Sequence, residues 1–321
     1  MKRAFISANL RGTKRAVIRQ ANEIIESYQV QGFKMTLRQL YYQFVSRDLL
    51  ANTEQNYKRI AQTISDGRLA GLVDWGAIED RGRVADQPYY YESPADALKT
   101  IRSVAQNYVT DRWATQDTYV ELWVEKQALA GVLEPLARRF QITLMVNKGY
   151  SSSSAMFDSA ARIRRNMGTF GEPLVPEPVY GQESETDYSE IGSDREGVVL
   201  YLGDHDPSGE DMVRDIRDRL KILGADSERL TVQKVALTMP QIRQYVPPPN
   251  PAKITDPRAR EYIAQHGPHS WEVDALNPTI LARLVSNAVA QYQDQDALDL
   301  TLKREETDRN NLIKQLERIK T

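Results

Sequence analysis

The chain reads as an α/β protein, with a mostly parallel four-stranded sheet flanked by helices, a helical unit before it and a helical extension after it. Three observations predict this class. Across residues 115–240, short apolar runs alternate with amphipathic helical stretches, the pattern of strands joined by crossover helices. The clearest run, VVLYL at 198–202, is apolar without alternation, as expected of a strand buried on both faces. Three of the runs end in polar clusters, which suits an open parallel sheet, where ligands bind beyond the carboxyl ends of the strands.

Taken in order, residues from Thr13 to about Glu26 carry apolar side chains at helical spacing, and Gly32 stops them. Thr36 followed by Gln39 is a capping-box signature, and Leu37, Leu40, Tyr41, Phe44 and Val45 form the apolar stripe of a second helix. A third helix is expected over 54–70, followed by a two-stranded element at 78–84. Together these suggest a winged helix-turn-helix within residues 1–100. Residues 86–113 read as a helical connector punctuated by Pro88 and Pro94. The four strands are then expected at Tyr119–Val124, Ile142–Val146, Val198–Leu202 and Thr231–Leu237. Helices are expected at Lys126–Phe140, Ser154–Met167 and Gly209–Leu223. The remaining residues, 241–321, form a helical extension whose pattern suits either packing on the sheet domain or an interaction arm.

Composition narrows the function classes. Of 321 residues, 41% are hydrophobic and 27% charged, an ordinary soluble balance. The absence of cysteine excludes disulfides, thiolate-bound zinc and a thiol nucleophile. No signal peptide or membrane span is legible, so a cytoplasmic protein is expected, associated with the nucleoid if it binds DNA. The net charge of −2 hides an uneven distribution. Residues 168–197 form an acidic, Pro/Gly-rich insertion with eight acids and one base, Arg195, whereas residues 1–83 carry 14 bases against 8 acids. The basic N-terminal third is compatible with phosphate binding and equally with an ordinary solvated surface.

The polar clusters carry the chemistry. Glu125 follows the first strand, Lys148-Gly149-Tyr150-Ser151 the second, and Asp204 and Asp206 the third. If the first and third strands are neighbours, three carboxylates converge on one rim, an arrangement strongly disfavoured unless a cation joins them. An all-oxygen set with room for water favours Mg²⁺, with Mn²⁺ as its substitute, and carboxylate-bound Mg²⁺ usually handles phosphate. Ser208, with Asp211 three residues on, is read as opening the next helix and turning its N-terminus toward the site. His205 is expected to point away from the two acids that flank it. The bland alternatives are an Asp-capped turn at 204–209 and a surface pair between Glu125 and Lys126. Glu272 and Asp274, in WEVDAL, could supply further acids to the rim but are read as surface residues.

The segments VEKQAL, NKGYSS and GDHDPSGEDM, in that order, resemble the Toprim domain of the topoisomerase VI A subunit and its relatives, the meiotic double-strand-break transesterases. Ser151 stands where that family has proline. The family also places an Arg-x-x-Tyr-Tyr segment on a helix of a preceding winged helix, matched here by Arg38, Tyr41 and Tyr42. The resemblance covers residues 30–85 and 117–240. It implies Mg²⁺-dependent DNA cleavage in which Tyr42 attacks a phosphodiester and becomes linked to the 5′ phosphate, with Glu125, Asp204 and Asp206 holding the metal. It further implies a homodimer whose subunits share each active site. Arg38, Lys148, Tyr41, Arg47 and Arg68 are the candidate contacts to double-stranded DNA. A phenol with a pKa near 10 needs activation, and Arg38, four residues before Tyr42, lies on the same helix face. Tyr41 falls with the apolar stripe, which favours Tyr42 as nucleophile. No Gly-x4-Gly-Lys-Ser/Thr motif is present, so strand passage would require a separate ATPase or SMC-like partner. Two other readings stay open: a Toprim nuclease using metal-activated water, and a non-catalytic DNA-binding module.

Overall fold

The computed structural model describes residues 2–8, 10, 12–78, 88–147, 149–168, 195–225 and 228–318. Its centre is a four-stranded parallel sheet of β1 (Thr118–Val124), β2 (Thr143–Val146), β3 (Glu196–Leu202) and β4 (Leu230–Ala236), in the order β2-β1-β3-β4. Each strand lies within two residues of its expected position. The runs do not alternate because both faces are covered. Val120, Leu122, Val124, Val198, Leu200 and Leu202 enter one core, while Tyr119, Trp123, Val199 and Tyr201 enter the other. Period-2 geometry sends successive side chains to opposite faces, and each buried Val or Leu contributes about 1.5–3 kcal/mol.

Helices α5 (Ala130–Phe140), α8 (Met239–Tyr245) and α10 (Pro278–Ala290) cover the first face, and α6 (Ser153–Asn166) and α7 (Pro207–Leu220) the second. Among these side chains Glu121 points into the second core, where Arg162 grips it with two bonds of 2.8 and 2.9 Å. The Tyr119 hydroxyl and the Trp123 indole also donate to it, each at 2.7 Å, so the buried charge is fully paired. The extension is packed rather than free. Helix α10 belongs to the sheet core, and Glu305 of α11 (Gln295–Arg318) binds Arg112 (3.2 Å), Arg309 (2.6 Å) and the Thr110 amide (3.1 Å).

The N-terminal unit is built from α1 (Thr13–Gln29), α2 (Leu37–Ser46) and α3 (Glu54–Leu69), and α4 (Pro94–Gln106) follows it in the chain. The expected capping box forms at Thr36 and Gln39. Three helices around one core are present, but residues 79–84, most of the expected wing, lie outside the described residues, as does most of the acidic insertion. The core of this unit contains one residue from far along the chain, Ala275. The segment 271–276 therefore joins the two halves of the molecule: Val273 and Leu276 enter the sheet core and Ala275 the helical one.

Two boundaries differ from expectation. Lys126 has an extended backbone (φ −112°, ψ 128°) and stays outside the helix that follows it. Helix α7 is capped by Asp206 rather than Ser208, with Pro207 in its first turn. The Asp206 carboxylate accepts from the Gly209 amide (2.6 Å) and the Ser208 hydroxyl (2.9 Å). This turn brings Gly209 so close to Asp204 that an added Cβ would lie 2.2 Å from the Asp204 carbonyl oxygen. Gly209→Ala is expected to destabilise the protein by ~2–3 kcal/mol, read as a lower urea midpoint, because backbone rather than a flexible side chain must yield.

Candidate active site at the carboxyl edge of the sheet

β1 and β3 are neighbours, with Val124 opposite Leu202, and the chain departs from them in opposite directions. Glu125 and Asp204 therefore emerge side by side at the point where the strand order reverses, the usual ligand position in such sheets. Glu125 Oε2 accepts from the Asp204 amide (3.0 Å) and from the Tyr201 hydroxyl (3.3 Å). Asp204 is 7% exposed; Oδ1 accepts from the Val273 amide (2.9 Å) and Oδ2 faces the Lys126 ammonium at 2.8 Å. Lys234 ties down the same turn, reaching the Asp204 carbonyl at 2.8 Å and Glu210 at 2.6 Å.

Glu272 and Asp274 are not surface residues. Asp274 is 1% exposed, and both acids share Lys126, at 2.9 and 3.2 Å. Arg38 of α2 reaches the same pair, hydrogen-bonding Glu272 and lying 3.4 Å from Asp274 Oδ2, a buried oxygen with no hydrogen bond of its own. Glu272 also accepts from Asn250 (3.2 Å). The surface reading of these two acids fails because the docking of 271–276 between the two cores buries them. The one local sign was a pair of acids alternating with apolar residues in WEVDAL.

Tyr42 completes the group. Its hydroxyl accepts from Arg38 at 3.2 Å, and the Arg38 guanidinium lies 5.6 Å from its ring centre. Tyr41 and Tyr42 are both buried, at 3% and 4%, so burial alone does not separate them; their hydroxyls do. Tyr41 Oη accepts from the Thr53 amide (2.8 Å) and donates to the Thr53 carbonyl (3.0 Å), locking the start of α3. Both tyrosines line a cavity of about 530 Å³ with Arg38, Asp204, Asp206 and Glu272, but only the Tyr42 hydroxyl is bound by Arg38. The tyrosine thus meets the acids of its own chain.

The electrostatics follow from charge count. Three carboxylates, Asp204, Glu272 and Asp274, share two cations, Lys126 and Arg38, and Glu125 adds a fourth negative charge beside Asp204. Burial opposes the charge on Lys126, yet Asp274, Asp204 and Glu272 hold its pKa well above the usual lysine value. Burial also works against Glu272, but Lys126 and Arg38 hold it down at about 2. With the lysine so divided, burial wins at Asp204, where Lys126 opposes and the neighbouring Glu125 assists a rise to about 7. Burial likewise raises Asp274. Tyr42 is pushed up to about 12 by burial, with Glu272 adding to the rise and Arg38 opposing it.

This surplus of negative oxygen, with one acid reluctant to ionise, fits a hard divalent cation. Glu125, Asp204 and Asp206 do not stand as a closed ligand group, because Lys126 occupies Asp204 and the helix amide of Gly209 takes one oxygen of Asp206. The raised Asp204 value gives a signed expectation. Stability conferred by the bound proton is present below the unfolded value near 4 and is lost as pH rises through about 7. Between pH 5 and 8, the melting temperature of Asp204→Asn should therefore gain on that of wild type by ~5–8 °C, corresponding to about 2–3 kcal/mol. A pH-independent difference would overturn the assignment.

The other candidate contacts have mixed placements. Arg47 is exposed at the end of α2 and bonds the Tyr28 phenol. Arg68 is turned inward, donating to the Trp75 carbonyl (3.2 Å) and the Ile78 carbonyl and stacking on Trp75, so it holds the loop after α3. Lys148 lies outside the described residues.

Fold and site together define a class: an α/β protein with a parallel sheet whose switch-point rim gathers acids, an arginine and a tyrosine around one cavity. Against known proteins, no family model matches the chain, and no curated protein matches it. Among the described residues, no helix is long and apolar enough to cross a membrane.

Proposed function

We propose that the protein cleaves double-stranded DNA by Mg²⁺-dependent transesterification, with Tyr42 as nucleophile. One observation carries this reading: Tyr42, whose hydroxyl is bound by Arg38, lines a single cavity with Arg38, Asp204, Asp206 and Glu272. Tyr42 Oη attacks a backbone phosphorus, the bond from phosphorus to the 3′ oxygen breaks, and the 5′ phosphate remains on the tyrosine. Glu272, hydrogen-bonded to the phenol, receives its proton. Arg38 meets the phosphate charge once DNA displaces its contact to Glu272, which frees that carboxylate to act as a stronger base. A divalent cation held by Glu125, Asp204 and Asp206, in place of the Lys126 ammonium at Asp204, would stabilise the phosphate and the leaving oxygen. Strand passage would require a separate ATPase or SMC-like partner.

A hydrolytic second reading is favoured by a specific observation: Tyr42 stands at about 12 and Glu272 at about 2, a mismatched acid and base as they rest. In that case water attacks and Tyr42 only packs. Incubating the protein with labelled duplex DNA and Mg²⁺ or Mn²⁺, then quenching with denaturant, separates the two. DNA bound covalently to protein supports transesterification, and free nicked or linear product supports hydrolysis. Intact DNA with binding preserved would leave a DNA-binding module. Mixing Tyr42→Phe with Asp204→Ala protein addresses the homodimer implied by the resemblance. Because the cavity draws both residues from one chain, the mixture should stay inactive, whereas restored cleavage would show a site shared between subunits.

A further inference from the structure

On the other side of the Asp204–Gly209 turn, three ligand-type side chains converge from three elements. They are His205 of the turn, Glu210 in the first turn of α7, and His266 at the end of α9 (Ala259–His266). One donor atom from each lies within 4.8 Å of the others. None of the three lines the cavity that holds Tyr42.

The hydrogen bonds around His205 determine which ring nitrogen is free. His205 Nδ1 lies 2.7 Å from the Tyr262 hydroxyl. That hydroxyl has one proton and two carbonyl acceptors, His205 O at 2.9 Å and His269 O at 3.1 Å, neither of which can donate. The phenol therefore donates to a carbonyl and accepts from Nδ1–H, which places the lone pair of a neutral imidazole on Nε2. Nε2 faces Glu210 Oε1 at 3.7 Å, and the ring is 2% exposed. A lone pair set against a carboxylate is repulsive, and a cation between them converts the repulsion into two bonds. An imidazole whose second nitrogen is pinned by an outer partner is the usual state of a metal-ligating histidine.

We propose that His205, Glu210 and His266 bind a divalent transition cation of the zinc class, at a site separate from the acidic rim. Two imidazoles and one carboxylate with a position left for water suit zinc and its neighbours, whereas Mg²⁺ prefers oxygen ligands. Lys234 also holds Glu210 Oε1, at 2.6 Å, so the metal shares this carboxylate with the lysine. His266 lies edge-on to His205, ring centres 4.8 Å apart, and closes by side-chain rotation at the helix end. The His205 backbone is paired with Trp271 at 2.8 and 2.9 Å, so a metal here clamps α9 and the 271–276 segment to the turn that presents Asp204 and Asp206. The proposal does not depend on the chemistry at Tyr42.

The test uses full-length protein stripped with chelator and titrated with Co²⁺ in excess Mg²⁺. One equivalent should produce the visible absorption of a low-coordinate Co²⁺ site, abolished by Zn²⁺. His266→Ala and Glu210→Gln should each weaken binding by at least ~tenfold and lose the Zn²⁺-induced rise in melting temperature. Asp206→Asn should change neither. No stoichiometric band, an unchanged titration in His266→Ala, or a band lost in Asp206→Asn but kept in His266→Ala would each overturn the site. Circular dichroism of His266→Ala, a half-buried residue at a helix end, separates lost ligation from lost folding.

Discussion

Tyr42→Phe is expected to lower covalent capture of DNA on the order of 10³-fold or more, since a removed nucleophile has no substitute. The fold should tolerate the change. The ring, packed in the helical core and tilted 5.7 Å from Tyr41, is retained. Only the contacts of its hydroxyl with Arg38 and Glu272 are lost, at a cost of about 1 kcal/mol. Tyr41→Phe should behave in the opposite way. It removes the bonds to Thr53, lowering stability by ~1–2 kcal/mol, while leaving DNA attachment in place. Denaturant midpoints and adduct yields of the two variants, measured side by side, decide the assignment. Adducts surviving in Tyr42→Phe but lost in Tyr41→Phe would exchange the two roles. Free cleavage product in Tyr42→Phe that disappears in Asp204→Ala would move the nucleophile to water.

Lys126→Met should be the most destabilising single change at the rim, by about 3–5 kcal/mol, because it strands buried acids rather than removing a pair. Lys126 serves Asp204, Glu272 and Asp274 at 2.8, 2.9 and 3.2 Å, and two of those acids are almost fully buried. Adding Asp274→Asn to Lys126→Met should recover part of the loss, since one stranded charge is removed with it. Mg²⁺ supplies a further readout. If the rim binds a cation in place of the ammonium, Mg²⁺ should raise the melting temperature of Lys126→Met more than that of wild type. Equal shifts in the two proteins would place the ion away from Asp204.

Strand positions, the Thr36 capping box and the ordered acids at 125, 204 and 206 were legible in the sequence because each depends on neighbours within a few residues. Periodicity marks a buried strand, and a turn residue marks its end. The burial of the acids at 272 and 274 and the central part of Lys126 were not legible. Their setting is made by contacts with residues up to 234 positions away, as in the Arg38–Glu272 pair. The same holds for the two tyrosines. Helical spacing puts Tyr41 on the apolar stripe and Tyr42 off it, but both rings are buried in the same core, and only the hydroxyl partners tell them apart.

The sequence by itself determined which residues end the strands and which helix carries the tyrosine pair, since local pattern dictates both. Tertiary structure alone decided that β1 lies beside β3 and that residues 271–276 wedge between two cores. Those two placements turn scattered acids into one rim facing Tyr42. The reason is physical: strand adjacency and domain docking are selected by the burial of apolar surface over the whole chain, a sum that no short segment contains.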